Sequence, residues 1–128
     1  MGLQKYINDV GILHKSGKAT EHSYRPALQT YLTELFSKAH IVVTNEPKRQ
    51  KCGAPDYILS KRGISIGHIE AKDIGVDMRK TEKSEQLSRY RKGLENLILT
   101  DYLEFSFFVY SEKVEQVTIA KIENGNII

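Results

Sequence analysis

Residues 55–72 form the stretch that most constrains the fold, because they predict two short strands joined by a turn. Asp56 opens the first strand, and Glu70 and Lys72 close the second. Side chains on a strand alternate between its two faces, so Glu70 and Lys72 project to the same side. The sequence therefore predicts a group of charged side chains at the open end of a β-hairpin.

The turn of this hairpin decides whether Asp56 joins the other charged residues. Residues 61–63 suit a three-residue turn with Gly63 in the left-handed conformation. This turn sets Asp56 opposite His68, with Glu70 one same-face step beyond. A two-residue turn would place Asp56 on the other face, because a slip of one residue reverses every side chain of a strand. We expect the three-residue turn, which brings two carboxylates and one ammonium together.

Two carboxylates and an ammonium at the strand ends suggest a metal site. Carboxylate oxygens on rigid strands are ligands that Mg²⁺ and Mn²⁺ prefer, with water filling the remaining positions. Lys72 could help deprotonate or orient a water molecule and could offset phosphate charge. The spacing alone leaves open a second interpretation, in which the hairpin end is exposed and carries an ordinary Glu–Lys pair.

The residues around these charges favour the metal site. Residues 53–56 (Gly-Ala-Pro-Asp) and 69–72 (Ile-Glu-Ala-Lys) resemble the signature of the PD-(D/E)XK nuclease superfamily. The resemblance implies a restriction-endonuclease-like α/β core, in which a central mixed sheet is flanked by helices. It also implies that Mg²⁺, or Mn²⁺ in its place, is bound by Asp56, Glu70 and the carbonyl of Ala71. Lys72 would then position or activate the attacking water.

A further carboxylate can come from the helix predicted over about residues 23–38, with Ser23 as N-cap and Pro26 in the first turn. At about 100° per residue, Glu34 falls on the solvent side of this helix. Glu21 faces the core if the helical path continues one turn back, and a core-facing carboxylate needs a partner or a cation. Members of the resembled family often direct an acid from this helix at the metal. We assign that role to Glu21, with Glu34, or neither, as the alternatives.

Basic residues cluster where a nucleic-acid backbone would approach these carboxylates. Arg25 lies at the start of the same helix, and Lys48, Arg49 and Lys51 lie on the loop before the Asp56 strand. Such side chains suit contacts with phosphates. A salt bridge is the alternative for Arg25, and a solvated loop is the alternative for the other three.

The basic character of the chain is concentrated in one segment. The net charge is +3, whereas residues 79–92 contain six basic and two acidic side chains. We predict a helix here, capped by Thr81 or Ser84 and running to about Leu97. Two final strands are predicted at residues 102–110 and 116–122.

Within this helix, residues 86–90 match the QxxxY motif found after the ExK strand in several branches of the superfamily. The resemblance implies that Gln86 and Tyr90 support the site and its nucleic acid. Lys83 shares their stripe by the i, i+3, i+4 rule, and we predict that Lys83 and Arg89 contact DNA. By itself the segment is typical of a generic charged helix.

Length and composition narrow the class of protein. A chain of 128 residues is long enough for one domain with an apolar core. No apolar run approaches the ~20 residues of a membrane span, and no signal peptide is visible. The single cysteine, Cys52, fits a reducing compartment. We therefore expect one domain, residues 1–128, in the cytoplasm and without membrane association; the resemblance described next implies that this cytoplasm is bacterial.

The run 97–105 resembles the N-terminal nuclease module of large bacterial restriction enzymes of the type IIG or type ISP kind. In those enzymes nuclease, methyltransferase and sometimes helicase domains share one chain, so we expect such domains to follow residue 128. The predicted function is Mg²⁺-dependent cleavage of double-stranded DNA. The alternatives are a Holliday-junction resolvase or repair nuclease, and a nucleic-acid-binding module of the same fold without catalysis.

Overall fold

The computed structural model describes residues 2–45 and 54–128. The helices in these ranges are α1 (Gly2–Lys15), α2 (Arg25–Phe36), α3 (Met78–Glu82) and α4 (Glu85–Gly93), with a 3-10 turn at Ser37–Ala39. The strands are β1 (Ile41–Asn45), β2 (Tyr57–Lys61), β3 (Ile64–Ala71), β4 (Asn96–Thr100), β5 (Glu104–Val109), β6 (Glu112–Thr118), β7 (Ile122–Glu123) and β8 (Asn126–Ile127). None of these helices is long and apolar enough to cross a membrane.

The first six strands form one mixed sheet in the order β1-β2-β3-β4-β5-β6. Neighbouring strands run antiparallel, except for β3 and β4, which are parallel. A parallel pair needs a crossover connection, and α3 and α4 supply it. β7 and β8 form a separate two-stranded sheet beside α1. The predicted α/β architecture, a mixed sheet with flanking helices, is confirmed.

Each face of the large sheet has its own apolar core. On one face, α1 and α2 pack against the sheet through a cluster that includes Tyr6, Val10, Leu28, Leu32, Tyr57, Ile69 and Ala71. On the other face, α3, α4, β4 and β5 contribute Met78, Leu87, Tyr90, Leu94, Leu97, Leu99 and Phe108. Because strand side chains alternate, Glu70 lies between Ile69 and Ala71 but faces the α4 side.

The hairpin between β2 and β3 closes with a shorter turn than predicted. Lys61 pairs with Ile64, so the loop is the two residues Arg62 and Gly63, with φ of 53° and 78°. Positive φ at both central positions is the requirement of a type I′ turn, whose twist matches that of the strands. The predicted three-residue turn, and with it the pairing of Asp56 with His68, is wrong.

A β-bulge restores the face that a two-residue turn alone would reverse. Ser60 pairs with Ser65, but Leu59 pairs with Gly67, so Ile66 is one extra residue on β3. Pairing then continues regularly to Tyr57 and Ile69. Asp56 directly precedes β2, and Glu70 follows Ile69 on β3. The two residues therefore lie across from each other on one face.

α2 begins at Arg25, and the predicted N-cap Ser23 is wrong. Tyr24 occupies the N-cap position without a side-chain hydrogen bond, and Pro26 lies in the first turn, where its missing N–H has no helical acceptor to lose. The hydroxyl of Ser23 instead accepts a hydrogen bond of 3.0 Å from the backbone N–H of Thr20. The chain therefore makes a separate turn immediately before the helix.

The single helix predicted from Thr81 or Ser84 to Leu97 is also wrong at its C-terminal end. Ser84 caps α4, which ends at Gly93, and Leu97 belongs to β4. Leu97 and Leu99 follow the two-residue period of a strand and lie in the same core as α4. The prediction failed because leucines spaced for a helix continue into leucines spaced for a buried strand.

Candidate active site

The carboxylate of Asp56 is fixed at the ends of β2 and β3. Its Oδ2 accepts a hydrogen bond of 2.8 Å from the backbone N–H of Ala71. Its Oδ1 accepts a hydrogen bond from Nη2 of Arg25, and the two side chains are only 13% and 14% exposed. The predicted grouping of Asp56 with the end of β3 is therefore present, although a different turn produces it.

Glu70 is a nearly buried carboxylate, 5% exposed. Its Oε2 lies 3.2 Å from Nζ of Lys72, while Oε1 is buried with no hydrogen-bond partner in the described part of the chain. Burial and the nearby charge of Asp56 raise the pKa of Glu70 to about 7, and Lys72 opposes this shift. A carboxylate in this position favours either a proton or a cation.

Lys72 links the strand to the helix α4. Its backbone N–H donates to the carbonyl of Thr100 at 2.8 Å, and its ammonium donates to Oε1 of Gln86 at 2.7 Å. Nε2 of Gln86 lies 3.5 Å from the hydroxyl of Tyr90, one helical turn further along. The side chains of Glu70, Lys72, Gln86 and Tyr90 therefore lie together, as predicted. Their contacts hold the ammonium of Lys72 in place.

Arg25 pairs with Asp56, so the structure shows the salt bridge that the sequence left open as the alternative to a phosphate contact. Its guanidinium forms a salt bridge within the chain, and its Nε is buried without a hydrogen-bond partner among the described residues. Among the described residues, Arg25 and Lys72 are the cations in contact with these carboxylates, Arg25 against Asp56 and Lys72 against Glu70.

Two buried tyrosines that belong to no sequence motif hold the segment carrying Arg25. The hydroxyl of Tyr57 donates to the carbonyl of Arg25 at 3.0 Å, and the hydroxyl of Tyr102 donates to the carbonyl of Glu21. Burial raises the pKa of both hydroxyls, so they remain donors. Tyr102 has a φ of 76°, which the hydrogen bond from its N–H to the hydroxyl of Thr100 helps maintain. No pattern in the sequence signals these long-range contacts.

The two candidate first-helix glutamates lie in different places. Glu21 precedes α2, its side chain is 38% exposed, and its carboxylate is 4.0 Å from Nε2 of His22. The expectation that Glu21 faces the core is wrong, because the helical path does not extend back to it. Its negative charge nevertheless contributes to the raised pKa of Glu70. Glu34 is exposed, and its carboxylate lies beside Gly2 at the start of α1.

The oxygen donors at the strand ends suit a hard divalent cation. Asp56 and Glu70 supply two carboxylates, and the unpartnered Oε1 of Glu70 offers a buried anionic ligand. Within residues 2–45 and 54–128, no group of three His, Cys, Asp or Glu side chains is close enough to hold a metal ion. Two carboxylates are donors of the kind that Mg²⁺ or Mn²⁺ accepts, since these ions retain several waters in their coordination shell.

The other predicted DNA contacts are only partly described. Lys48, Arg49 and Lys51 lie outside the described residues. Lys83 is exposed at the C-cap of α3, so it does not share the stripe of Gln86 on α4 as predicted. Arg89 lies on α4 with Nε 2.9 Å from Oε1 of Glu85, in an exposed pair that adds little to stability.

Comparison with known proteins identifies a fold relative. No protein-family model and no curated protein matches the sequence. The fold is similar to that of a chain in the cryo-EM structure of a DrdV–DNA complex, with a TM-score of 0.76 and 21% sequence identity. The match covers 92% of this chain and 12% of that chain. Together with the mixed sheet, this similarity confirms the predicted α/β core, a central mixed sheet flanked by helices.

Proposed function

We propose that this chain is a Mg²⁺-dependent endonuclease domain of the PD-(D/E)XK kind that hydrolyses phosphodiester bonds of double-stranded DNA. The observation that carries the proposal is the meeting of Asp56, Glu70 and Lys72 at the ends of two paired strands. Neither carboxylate is placed there by local sequence alone, because the type I′ turn and the bulge at Ile66 must act together.

In the proposed site, the carboxylates of Asp56 and Glu70 and the carbonyl of Ala71 would hold the Mg²⁺. A bound Mg²⁺ would supply positive charge against the phosphodiester as the hydrolysis proceeds. Glu21, whose charge already acts on Glu70, would complete the acidic site. Glu70 must be ionised to serve as a ligand, and its pKa of about 7 makes that state available at neutral to alkaline pH.

Lys72 would act on the water that attacks the phosphorus. An ammonium has three N–H donors, and Glu70 and Gln86 lie against two of them. The third would orient the attacking water or offset the charge of the phosphate. Hydrolysis adds this water to phosphorus and breaks one P–O bond, and the leaving oxygen takes a proton. Gln86 and Tyr90 would keep Lys72 in this position.

The DNA substrate is proposed from charge and from the fold relative. The relative was solved as a DNA complex, and this chain spans 12% of its length. Lys83 and Arg89 are exposed on the basic segment 79–92 and would contact phosphates, together with the loop residues Lys48, Arg49 and Lys51. We propose that the domain is the cleavage module of a restriction–modification enzyme with methyltransferase or helicase domains in the same chain.

A DNA-binding module without catalysis is the second candidate. The observation that favours it is that both oxygens of Asp56 already accept hydrogen bonds, from Arg25 and from the N–H of Ala71. If that arrangement is permanent, the charge of Arg25 keeps a metal ion away from Asp56, and the fold would only bind DNA.

Plasmid nicking separates the two candidates. We expect the wild-type protein to nick supercoiled plasmid with Mg²⁺ and not with EDTA. We expect Asp56→Asn and Glu70→Gln to lower the rate by about 100-fold or more, the loss expected when electrostatic stabilisation of the transition state is removed. Glu34→Gln is the matched control, because Glu34 is an exposed carboxylate beside Gly2. Nicking by Asp56→Asn or Glu70→Gln at the wild-type rate would reject the proposed site.

A further inference from the structure

We propose that Arg25 is an internal counter-ion that holds Asp56 until a divalent cation binds, and that the released guanidinium then binds a phosphate of the DNA backbone. The inference rests on the proposed function and concerns the same site. It gives Arg25 two alternative partners, one within the chain and one on the substrate.

The contacts of Asp56 carry the first part of this proposal. Both carboxylate oxygens are engaged, one by the N–H of Ala71 and one by the guanidinium of Arg25. The Ala71 contact involves backbone at the end of β3, so it is fixed by the sheet. The Arg25 contact is made by a long side chain, and it is therefore the one that can open.

Electrostatics makes the guanidinium and a divalent cation competitors. The two side chains are each largely shielded from water, so a second cation at Asp56 would be repelled by Arg25 at short range. Glu70 has its own cation, Lys72, but its Oε1 remains without a partner in the described structure. Among the described residues, Glu70 therefore has a carboxylate oxygen without a partner, whereas the carboxylate of Asp56 has beside it a guanidinium that repels a second cation.

The surroundings of Arg25 let its side chain move while its backbone stays. The carbonyl of Arg25 accepts a hydrogen bond from the hydroxyl of Tyr57. Arg25 is the first residue of α2, and Pro26 follows it. The Nε of Arg25 has no hydrogen-bond partner among residues 2–45 and 54–128, so the pairing seen there uses only part of the donor fork. A planar guanidinium presents several N–H groups that match phosphate oxygens, which is why the released side chain suits a phosphodiester.

The first test is calorimetric titration of MnCl₂ into the 128-residue protein at pH 8, where Glu70 is ionised. Arg25→Met removes the competing charge, so we expect it to bind Mn²⁺ about tenfold more tightly than the wild type. Arg25→Lys keeps the charge but not the planar fork, and we expect an intermediate affinity. Lys61→Met is the matched control: Lys61 is exposed at the hairpin end of β2, opposite the end that carries Asp56, and its loss should leave Mn²⁺ affinity unchanged.

The second test concerns DNA and uses proteins that also carry Lys72→Met, so that the duplex is not cleaved. We measure binding of a short fluorescent duplex by anisotropy with and without MnCl₂. Addition of Mn²⁺ should raise the affinity of the Lys72→Met protein by about fivefold more than that of the Arg25→Met/Lys72→Met protein, because only the former has a guanidinium to release.

The outcomes distinguish this proposal from the proposed function. Equal or weaker Mn²⁺ binding by Arg25→Met, with Arg25→Lys also unchanged, would overturn the exchange and leave the metal site standing. Mn²⁺ binding by Arg25→Met but not by the wild type would also overturn the exchange, because it would show that Arg25 stays on Asp56 and keeps the cation out. If neither protein binds Mn²⁺ while both give the circular dichroism of a folded α/β protein, both proposals fail.

Discussion

Glu70 combines two properties that oppose stability, since it is nearly buried and its Oε1 lacks a partner within the described structure. In the ionised state this oxygen has lost its hydration without gaining a hydrogen bond. Its pKa of about 7, against an ordinary 4.5, expresses that cost. Such a group is better suited to binding a cation than to stabilising the fold.

The raised pKa of Glu70 predicts how stability depends on pH without metal. The folded state holds the proton more tightly than the unfolded state, so the contribution of Glu70 is fully present below pH 4.5 and is lost as pH rises through about 7. Glu70→Gln does not titrate. In EDTA at pH 8 we expect this variant to be more stable than the wild type by a difference of the order of 3 kcal/mol.

Urea denaturation at pH 5 and pH 8 measures this effect, because the difference between the two proteins isolates Glu70 from other titrating groups. The advantage of Glu70→Gln should be smaller at pH 5. If Glu70→Gln is less stable than the wild type at pH 8, the ionised Glu70 must have a hydrogen-bond partner or counter-ion that the described structure does not contain.

Tyr57 and Tyr102 give a second prediction for single residues. Each hydroxyl donates to a main-chain carbonyl of the segment before or at the start of α2. Removal of one buried hydrogen bond costs about 1 kcal/mol, so Tyr57→Phe and Tyr102→Phe should each lower the free energy of unfolding by about that amount. Tyr110→Phe is the control, because Tyr110 is 71% exposed. If Tyr57→Phe and Tyr102→Phe are as stable as Tyr110→Phe in urea denaturation, the two hydrogen bonds to the main-chain carbonyls do not stabilise the fold as described.

At the scale of elements, the β2–β3 hairpin shows what the sequence could and could not predict. Both strands, and the grouping of Asp56, Glu70 and Lys72 at their ends, followed from residue types and alternation. The turn that produces this grouping could not be predicted. The predicted three-residue turn and the observed type I′ turn with a bulge at Ile66 both set the two carboxylates on one face, so the grouping itself does not distinguish them. A bulge depends on how the whole strand packs, and local turn chemistry does not encode it.

The type I′ turn predicts a stabilising substitution. Arg62 has a φ of 53°, which is unfavourable for a long side chain and favourable for asparagine, and Asn-Gly is the preferred pair for this turn. Arg62→Asn should therefore raise the free energy of unfolding by about 0.5 kcal/mol, a part of the roughly 1–2 kcal/mol that the left-handed conformation costs most residues other than glycine. Chemical denaturation checks the change, and plasmid nicking by the variant should match the wild type. A loss of stability would mean that the turn is not of this type.

The crossover from β3 to β4 was predicted less well. The Ser84 cap, the basic face and the placement of Gln86 and Tyr90 on one helix could be predicted because capping and helical periodicity are local. The end of the helix at Gly93 could not, because the leucines after it are buried by strand pairing with β3. Tertiary contact overrides the local pattern there.

In the whole molecule, the candidate site lies at the strand ends where side chains from both faces of the large sheet meet. The hairpin supplies Asp56, Glu70 and Lys72, the α4 side supplies Gln86, and the α2 side supplies Arg25. The residues on the hairpin and α4 were predicted, since each belongs to a motif within one element. The Arg25–Asp56 pair was not, because it joins residues 31 positions apart around the end of the sheet.

The position of a bound divalent cation decides whether the adjacent ends of β2 and β3 form a metal site. At 14.6 kDa the protein is suited to amide-resolved NMR, in which substoichiometric Mn²⁺ broadens the signals of nearby residues. We expect the amides of Asp56, Glu70, Ala71 and Lys72 to broaden first, and those of Gly63 at the far end of the hairpin to remain sharp. Broadening centred elsewhere, or none at Mn²⁺ concentrations that support nicking, would show that these strand ends are not the metal site.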